Sequence, residues 1–347
     1  MATENAYYNA VAAAAAGNYK KLEGWREGHP TWQAVFEALA AGPSISLADP
    51  EKEWQKIGKL GIRLVLLDEA EYPPLLREIP HPPFGIYILG SLSVVPNPLS
   101  VAIVGTRRAT PEGKSTAKQF ARGLADAGFA IISGLAFGID AAAHEGCLEA
   151  DGKTIAVLAG GLDGVYPRSN EPLARKILAH GGALVSEYPI GQVPLEYRFL
   201  ERNRLVSGLA QGILAIEVPE KSGALVTARF AVEQNRDVFV VPGSISHPNF
   251  KASHALIRQG AELVTKPEHI MEAYGVAAEN KSEIARQNLS PEEMLILSAL
   301  DSLHDALDVD KLADITKLET QVVNGTITVL LTKNFIKETG QGYIISQ

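Results

Sequence analysis

The sequence predicts an α/β protein with a Rossmann-like parallel-sheet core, a small helical N-terminal domain and a C-terminal winged-helix domain. Between residues 101 and 274, short apolar runs alternate with helical patterns of roughly 10–15 residues, which is typical of βαβ units. The apolar runs end in turns rich in Gly, Ser and Thr. From residue 290 onward the pattern is three helices followed by a hairpin.

Residues 1–70 are expected to form a helical domain of the SAM or helix-hairpin-helix kind. Met1–Tyr19 is rich in alanine, Thr31 can cap the helix WQAVFEALAA, and Asp49-Pro50 can begin another helix. Residues 71–275 are expected to form the Rossmann-like core, with FGIYILG (84–90) as a strand that leads into the sheet.

Seven apolar segments are expected to form the parallel sheet: VAIVG, FAIIS, TIAVLA, GALVSE, GILAIEV, DVFVVPG and AELVT. Right-handed crossovers would place helices on both faces of this sheet. The turns after parallel strands meet at one edge. Helix N-termini at that edge offer unpaired N–H groups and the positive end of the helix dipole, which suit phosphate.

Residues 276–289 are polar and weakly patterned, which predicts a linker. Residues 290–347 are expected to form the winged-helix domain, with Ser290 as N-cap and a hairpin turn over Thr339–Gly342. The helix TQVVNGTITVLLTK has few basic residues, so packing or protein contact is favoured there over the reading of duplex DNA.

The composition of the chain limits the classes of function that it can have. The chain has 347 residues, 46% of them hydrophobic, and a formal net charge of −8, so any nucleic-acid site must be a local cationic patch. The lone cysteine, Cys147, excludes a disulfide within the chain and indicates a reducing compartment, where a packed thiol is expected. No segment has the roughly 18 apolar residues of a membrane helix, so we expect a cytoplasmic protein.

The turn after the first core strand is GTRR, formed by Gly105, Thr106, Arg107 and Arg108. Glycine permits close backbone approach, and guanidinium groups suit phosphate or the face of a base. Two arginines on a solvated turn are an equally good explanation of this motif alone. This turn is not the dinucleotide motif G-x-G-x-x-G, and the sequence contains no P-loop.

Further candidates lie in SGLAFGIDAAAH (133–144), where Ser133 and Gly134 could bind an oxyanion and Gly138 lies in the same turn. Asp140 and His144 are one helical turn apart. A hydrogen-bonded pair that ties the helix to the sheet edge is favoured over acid–base or metal chemistry, because no third ligand is within sequence reach.

Two later segments add further candidates. AGGLDGVYP (159–167) places Gly160 and Gly161 in a loop that either a tight crossover or a close ligand explains. FLERNRLVSGL (199–209) offers Phe199, either as a stacking platform for a base or as a core residue. The same segment places Arg202, Asn203 and Arg204 at the expected start of a helix, where an anion or Glu201 would relieve the conflict with the helix dipole.

The segment IEVPEKSGALVTARFA (216–231) places Glu217 at a strand end, Ser222 and Gly223 at a helix start, and Thr227 within that helix. Helix capping and anion binding explain the presence of Ser222 at this position equally well. Gly243 ends the string VPG after a later strand.

Taken in order, these strings resemble one family, the DNA-processing proteins called DprA or Smf. The resemblance rests on VAIVGTR, SGLAFGIDAAAH, TIAVLAGGLDGVYP, RNR, SGALVTA and VPG, which follow one another over 101–243. The helical N-terminal unit and the winged-helix C-terminal unit also resemble those of many members, more weakly.

The resemblance implies a single-stranded-DNA-binding protein of natural transformation. Such a protein protects incoming strands, loads RecA recombinase for homologous recombination and forms a homodimer through its Rossmann-like domain. The resemblance implies no catalysis, and we expect no cofactor and no metal. The expected DNA-binding residues are Gly105, Thr106, Arg107, Arg108, Ser133, Gly134, Phe199, Arg202, Asn203, Arg204, Ser222 and Gly223. The expected structural or pocket residues are Gly138, Asp140, His144, Gly160, Gly161, Glu217, Thr227 and Gly243.

The chain departs from the family pattern at Leu200, where members often have Pro, at Glu196, where some relatives carry a basic residue, and over 252–257, which read ASHALI. One alternative is a Rossmann-like enzyme that binds or hydrolyses nucleotides or phosphoribosyl bonds, with Asp140 or Glu217 as the acid–base group. A winged-helix transcription regulator is another. The sequence shows no convergent carboxylate pair and no nucleophile–base constellation to support the enzyme.

Overall fold

The computed structural model describes residues 2–42, 45–92, 99–276, 289–303, 306–333, 335–340 and 342–345. The chain divides into two compact units, Met1–Ala278 and Glu279–Gln347. Most of the expected linker over 276–289 lies outside the described residues, as does Gln341 in the expected hairpin turn.

A nine-stranded sheet is the centre of the first unit, in the order β1-β2-β6-β5-β4-β3-β7-β8-β9. Its strands are β1 (Arg63–Leu66), β2 (Gly85–Gly90), β3 (Ser100–Gly105), β4 (Ala130–Ser133), β5 (Thr154–Val157), β6 (Ala183–Ser186), β7 (Gly212–Ile216), β8 (Asp237–Val240) and β9 (Glu262–Leu263). The seven strands from β3 to β9 are parallel where they pair with one another, which confirms the predicted βαβ core.

The whole sheet is mixed, because two further strands add an antiparallel edge to the predicted parallel core. β1 pairs antiparallel with β2, and β2 pairs antiparallel with β6. The connection between β1 and β2 contains one short helix, α5 (Pro74–Arg77), which follows the four N-terminal helices in the chain. An antiparallel pair needs no long crossover helix, so this segment can double back directly. Residues 63–66, expected within a helical domain, thus form the edge strand of the sheet.

Helices cover both faces of the sheet because the parallel strands are buried on both sides. In β3, Val101 and Ile103 pack with α6 (Pro111–Asp126) and α7 (Ile139–Glu149), whereas Ala102 and Val104 pack with α9 (Glu196–Gly208) and α10 (Gly223–Glu233). This period of two is that of a strand. The remaining helices of this layer structure are α8 (Glu171–Ala179), α11 (Lys251–Arg258) and α12 (Pro267–Ala273).

The N-terminal helices α1 (Glu4–Ala14), α2 (Tyr19–Arg26), α3 (Trp32–Ala41) and α4 (Pro50–Lys59) pack in the same unit as the sheet. The predicted caps are confirmed, since Thr31 accepts a hydrogen bond from the N–H of Ala34 and Asp49 accepts one from Lys52. Tyr8 and Trp32 share one buried cluster with Leu64 and Tyr87 of the sheet. The assignment of residues 1–70 to a SAM or helix-hairpin-helix domain stays a prediction.

The second unit contains α13 (Pro291–Leu303), α14 (Val309–Thr316) and α15 (Thr320–Thr332), followed by the antiparallel pair β10 (Ile336–Thr339) and β11 (Gly342–Ile345). This order of three helices and a hairpin is the one predicted; its identity as a winged helix stays a prediction. Ser290 caps α13 as predicted. Its hydroxyl accepts from the N–H of Glu293, and the Glu293 carboxylate accepts from the N–H of Ser290.

A buried hydrogen bond joins α1 to the sheet. The hydroxyl of Tyr87 in β2 donates to Oδ1 of Asn9 at 2.9 Å, and both residues are 1% exposed. We expect Tyr87→Phe to lower the free energy of unfolding of this unit by about 1–3 kcal/mol, because it leaves a buried amide oxygen unsatisfied. Urea unfolding measures the change. Tyr197→Phe, at a half-exposed ring, is the control, and an equal effect of both variants would contradict this role of the hydrogen bond.

Candidate nucleic-acid interface

The strand order reverses beside β3. The chain passes from β3 to β4 on one side and later returns to β7 on the other side. In open α/β sheets, a crevice forms outside the carboxyl ends of the strands at such a switch point. A cavity of about 520 Å³ lies there, which we call the switch-point cavity. The predicted DNA-binding residues that line it are Gly105, Thr106, Arg107, Arg108, Gly134, Phe199, Arg202, Asn203, Ser222 and Gly223.

The GTRR turn is held from behind by backbone and side-chain bonds. The N–H of Thr106 donates to the carbonyl of Glu217, and the carbonyl of Thr106 accepts from the N–H of Ile139. The Thr106 hydroxyl accepts from the N–H of Arg108 at 3.2 Å. Gly105 has no room for a side chain, because a Cβ there would lie 2.0 Å from the carbonyl oxygen of Ile216. The turn is therefore fixed while both arginine side chains project outward, exposed.

Phe199 lies between a cation and a second aromatic ring. The guanidinium carbon of Arg107 is 4.8 Å from the centroid of the Phe199 ring, within cation–π distance. The Tyr166 ring is tilted against Phe199 at 5.6 Å between centroids. Phe199 is partly exposed and lines the cavity, so it is not a core residue, and its role as a stacking platform stays a prediction.

Arg202 is the buried cation of the site. It is 3% exposed, and its Nη1 donates to the carbonyl of Gly134 at 2.6 Å and to that of Val157. A Cβ at Gly134 would lie 2.4 Å from the same Nη1, which explains the glycine. Burial lowers the pKa of Arg202 to about 10, and nearby Arg107 adds to the effect, opposed by Asp140. Arg202 thus ties α9 to the ends of β4 and β5.

The helix that carries these residues begins earlier than predicted. α9 starts at Glu196, directly after Pro194-Leu195, so Arg202, Asn203 and Arg204 lie in its middle rather than at its N-terminus. No residue from Glu196 to Val206 interrupts a helix, and Glu196 suits the positive end of the dipole. The expected conflict between the arginines and the helix N-terminus therefore does not exist.

Arg204, which was expected to bind DNA, does not line the switch-point cavity, and that role stays a prediction. Its guanidinium makes two hydrogen bonds with the buried carboxylate of Glu187, at 2.6 and 3.1 Å. Arg204 points to the opposite side of α9 from Phe199, toward the ring of Tyr19 at 5.7 Å. Ser133 is also absent from the cavity lining, because its buried hydroxyl donates to the carbonyl of Ile103 at 2.7 Å within the sheet.

Asp140 and His144 do not bind one another and take separate partners. Asp140 accepts hydrogen bonds from the N–H groups of Gly134 at 3.1 Å and Ala136 at 3.4 Å, and so orients the turn after β4. Burial raises its pKa, opposed by Arg202. His144 Nδ1 donates to the hydroxyl of Thr154 at 2.7 Å, since that hydroxyl itself donates to the carbonyl of Ile131. The helix is tied to the sheet edge as expected, but Asp140 and His144 do this through separate hydrogen bonds and not as a bonded pair.

Glu217 holds two turns together beneath the cavity. Its carboxylate accepts from both the N–H and the hydroxyl of Thr110, the N-cap of α6, and from Nδ2 of Asn249 at 2.9 Å. Ser222 caps α10, as predicted, by accepting from the N–H of Leu225. The carbonyl of Gly223 accepts from Asn203 and from Thr227, so α9 and α10 are joined at the cavity wall.

The other predicted pocket residues have separate positions. Gly160 and Gly161 line a neighbouring cavity. Gly138 packs against the carbonyl of Thr106 and Gly243 against the ring of Phe250, and neither lines a cavity described here. Cys147 is a packed thiol as expected, and burial raises its pKa to about 12.

Sequence reasoning missed Lys221 and Tyr166. Both lie within quoted motifs, directly before the Ser222 cap and before Pro167, and both side chains are exposed at the cavities. A cation next to a helix N-cap was the available signal for Lys221. Arg107, Arg108 and Lys221 form no ion pair within the part of the chain that the structure describes.

Within the described ranges, no group of three His, Cys, Asp or Glu side chains is arranged to hold a metal ion. Over the same residues, no helix combines the length and the apolar character that crossing a membrane requires.

Residues 63–275 match the family model of DNA recombination-mediator protein A. The chain is 44% identical over 209 residues to the protein Smf of Escherichia coli, covering 60% of this chain and 56% of that protein. The chain thus spans little more than half the length of this relative.

Solved structures that are similar to the chain include two DNA processing proteins. One is the DNA processing protein A of Streptococcus pneumoniae, with 32% identity and a TM-score of 0.62 over 78% of this chain and 93% of that one. The other is that of Helicobacter pylori, with 30% identity and a TM-score of 0.56 over 61% and 95%. The second structure was determined for the single-stranded-DNA binding mode of that protein.

The position of Arg204 predicts a defect in stability. We expect Arg204→Ala to lower the free energy of unfolding by about 3–5 kcal/mol, because it leaves the Glu187 carboxylate buried and unpaired. Arg175→Ala, which removes an exposed pair with Glu171, should change it by less than about 1 kcal/mol. Urea unfolding compares the two variants, and a loss of similar size in both would contradict the buried pair.

His144 predicts a dependence of stability on pH. Burial lowers its pKa to about 3, so the folded side chain stays neutral while the unfolded one binds a proton below about pH 6.5. Lowering the pH from 6.5 toward 3 therefore favours the unfolded state, by about 1.4 kcal/mol per unit relative to His144→Gln. Unfolding of both proteins at pH 7.5, 6.5 and 5.5 measures this difference, which parallel curves would contradict.

Proposed function

The chain belongs to the DNA recombination-mediator protein A family, and on that basis we propose that it binds single-stranded DNA in the switch-point cavity. The observation that carries this proposal is the set of three exposed cations, Arg107, Arg108 and Lys221, around one partly exposed aromatic ring. Single-strand binding combines a cationic groove that follows the phosphates with aromatic rings on which bases stack.

The phosphates would contact the two turns at the switch point. Arg107 and Arg108 follow β3, and Lys221 precedes the N-terminus of α10, whose first-turn residues Gly223 and Ala224 line the cavity. A helix N-terminus adds N–H donors and positive potential without adding formal charge. These donors and the three cations together make a local anion site on a chain whose net charge is −8.

Base stacking would involve Phe199. The ring is already within cation–π distance of Arg107, so a base that packs against the exposed part of the ring would extend this contact. Every base has a π-face, so this contact tolerates any sequence. In duplex DNA the faces of the bases are covered by their neighbours, which supports a preference for single strands. Glu196 at the rim of the cavity moderates the positive potential.

The family also leads us to propose a role downstream of binding. The protein would protect single strands, load RecA recombinase onto them during transformation, and form a homodimer through its Rossmann-like unit in the cytoplasm. RecA ATPase activity on single strands, with and without this protein, tests the loading role. Light scattering tests the dimer.

Catalysis is the competing candidate, and two hydrogen-bond networks count against it. Asp140 is bound by two backbone N–H groups, and Glu217 is bound by Thr110 and Asn249. Glu217 does not line the switch-point cavity, and Asp140, which does line it, is already engaged by the two N–H donors, which counts against either as the group that takes a proton from a substrate. We propose that this protein is not an enzyme. Release of base or phosphate from nucleoside monophosphates, measured over hours with purified protein, would contradict that proposal.

The proposal predicts how binding depends on salt. We expect Arg107→Ala to weaken binding to an oligothymidylate roughly tenfold, because it removes a charged contact and the cation above Phe199. The slope of log Kd against log salt should fall by about 0.7 for one lost phosphate contact. Fluorescence anisotropy at several salt concentrations gives both values.

Arg122→Ala is the matched control, since it removes the same charge from an exposed position on α6 outside the cavity. A wild-type protein that binds no single strand at low salt would overturn the proposed function. Equal changes in slope for Arg107→Ala and Arg122→Ala would show that only net charge matters.

A further inference from the structure

A second cavity of about 310 Å³ adjoins the switch-point cavity. Gly134, Phe199 and Arg202 line both, so they form a shared wall. The loop 159–168 and the loop 191–194 provide the rest of the lining. We call it the glycine-loop cavity. Its volume lies at the lower end of the range for small-ligand sites, about 300–1,000 Å³.

The two loops around this cavity are fixed to one another. The N–H of Gly161 donates to the carbonyl of Gln192 at 2.9 Å. The carboxylate of Asp163 accepts from the N–H of Gly191 at 2.9 and 3.0 Å. The carbonyl of Gly160 accepts from the buried hydroxyl of Ser186 at 2.8 Å. These bonds form the cavity before any ligand arrives, which lowers the entropy lost on binding.

The two cavities differ in charge. The switch-point cavity has Arg107, Arg108 and Lys221 at its surface. The glycine-loop cavity has exposed Asp163 and exposed Arg168, and otherwise mainly glycine, apolar and aromatic residues. The second cavity has fewer exposed cations than the first, and its glycine, apolar and aromatic lining suits an uncharged planar group that lies next to a phosphate.

We propose that the glycine-loop cavity holds one nucleobase of the strand whose phosphates lie in the switch-point cavity, an inference that rests on the proposed function. Phe199 in the shared wall would separate this base from its neighbour. The exposed ring of Tyr166, tilted against Phe199 at 5.6 Å, would contact the inserted base. Arg168 at the cavity surface would contact a flanking phosphate.

A single glycine allows the cavity to be blocked. Gly164 lines it, and a Cβ at Gly164 would meet no other atom within 4 Å, so a side chain can begin there without a clash at Cβ. We therefore compare wild type, Gly164→Leu and Tyr166→Ala. The controls are Gly58→Leu, another glycine with open space around it, and Tyr197→Ala, another exposed tyrosine.

The probes are two labelled oligomers with equal numbers of phosphates, one of thymidylate and one of abasic tetrahydrofuran residues. We expect wild type to prefer the thymidylate oligomer and both cavity variants to lose roughly 5- to 150-fold of that preference, the range for one stacked base. The salt slope should stay at the wild-type value in both variants, because no phosphate contact is lost. The two controls should keep the wild-type preference.

A measurement on the unmodified protein supports the comparison. An oligonucleotide with 5-iododeoxyuridine at each position in turn, irradiated in the complex, should cross-link to Tyr166 from one position and not to Tyr197. The base site would be overturned if Gly164→Leu and Tyr166→Ala kept the wild-type preference and no cross-link to Tyr166 formed. In that case Arg107→Ala would still show the loss of a phosphate contact, so the proposed function would stand. A wild type that binds neither oligomer would overturn the proposed function, and this inference with it.

Discussion

The guanidinium of Arg202 is the contact on which the site depends. It lies buried between the ends of β4 and β5 and binds the carbonyls of Gly134 and Val157. This contact fixes α9 across the edge of the sheet and so places Phe199 over the GTRR turn. It also requires glycine at position 134. Phe199, the turn after β4 and the wall between the two cavities would all shift if Arg202 moved.

The buried and exposed arginines therefore have different functions. Arg198, Arg202 and Arg204 in α9 are all buried, and their guanidinium groups bind carbonyl oxygens or a carboxylate within the protein. Their positive charges organise the fold. In the proposed function, ligand binding is assigned to the exposed cations of the loops, Arg107, Arg108 and Lys221. On that proposal, the separation would let an acidic protein hold a polyanion at one edge of its sheet while its net charge disfavours nucleic acid elsewhere on the surface.

The sequence predicted the parallel part of the sheet well, because buried strands read as apolar runs and glycine-rich turns mark their ends. Most of the site residues follow from that topology alone, since turns after parallel strands meet at one edge. The antiparallel edge formed by β1 and β2 was missed because residues 63–66 are too short to show a period. The buried partner of Arg204 was not predicted, because an arginine in a motif looks the same whether its partner is a phosphate or a buried carboxylate. Glu187, more than ten residues away in sequence, gave no signal.

Hydrogen exchange measured by mass spectrometry, with and without an oligothymidylate, tests DNA binding at the switch point, because it reports on the backbone N–H groups there. We expect slower exchange in peptides that cover 105–110 and 222–226 when the strand is bound, with little change over 290–345. Protection confined to 290–345, with unchanged exchange at the two turns, would contradict it and place the DNA on the second unit.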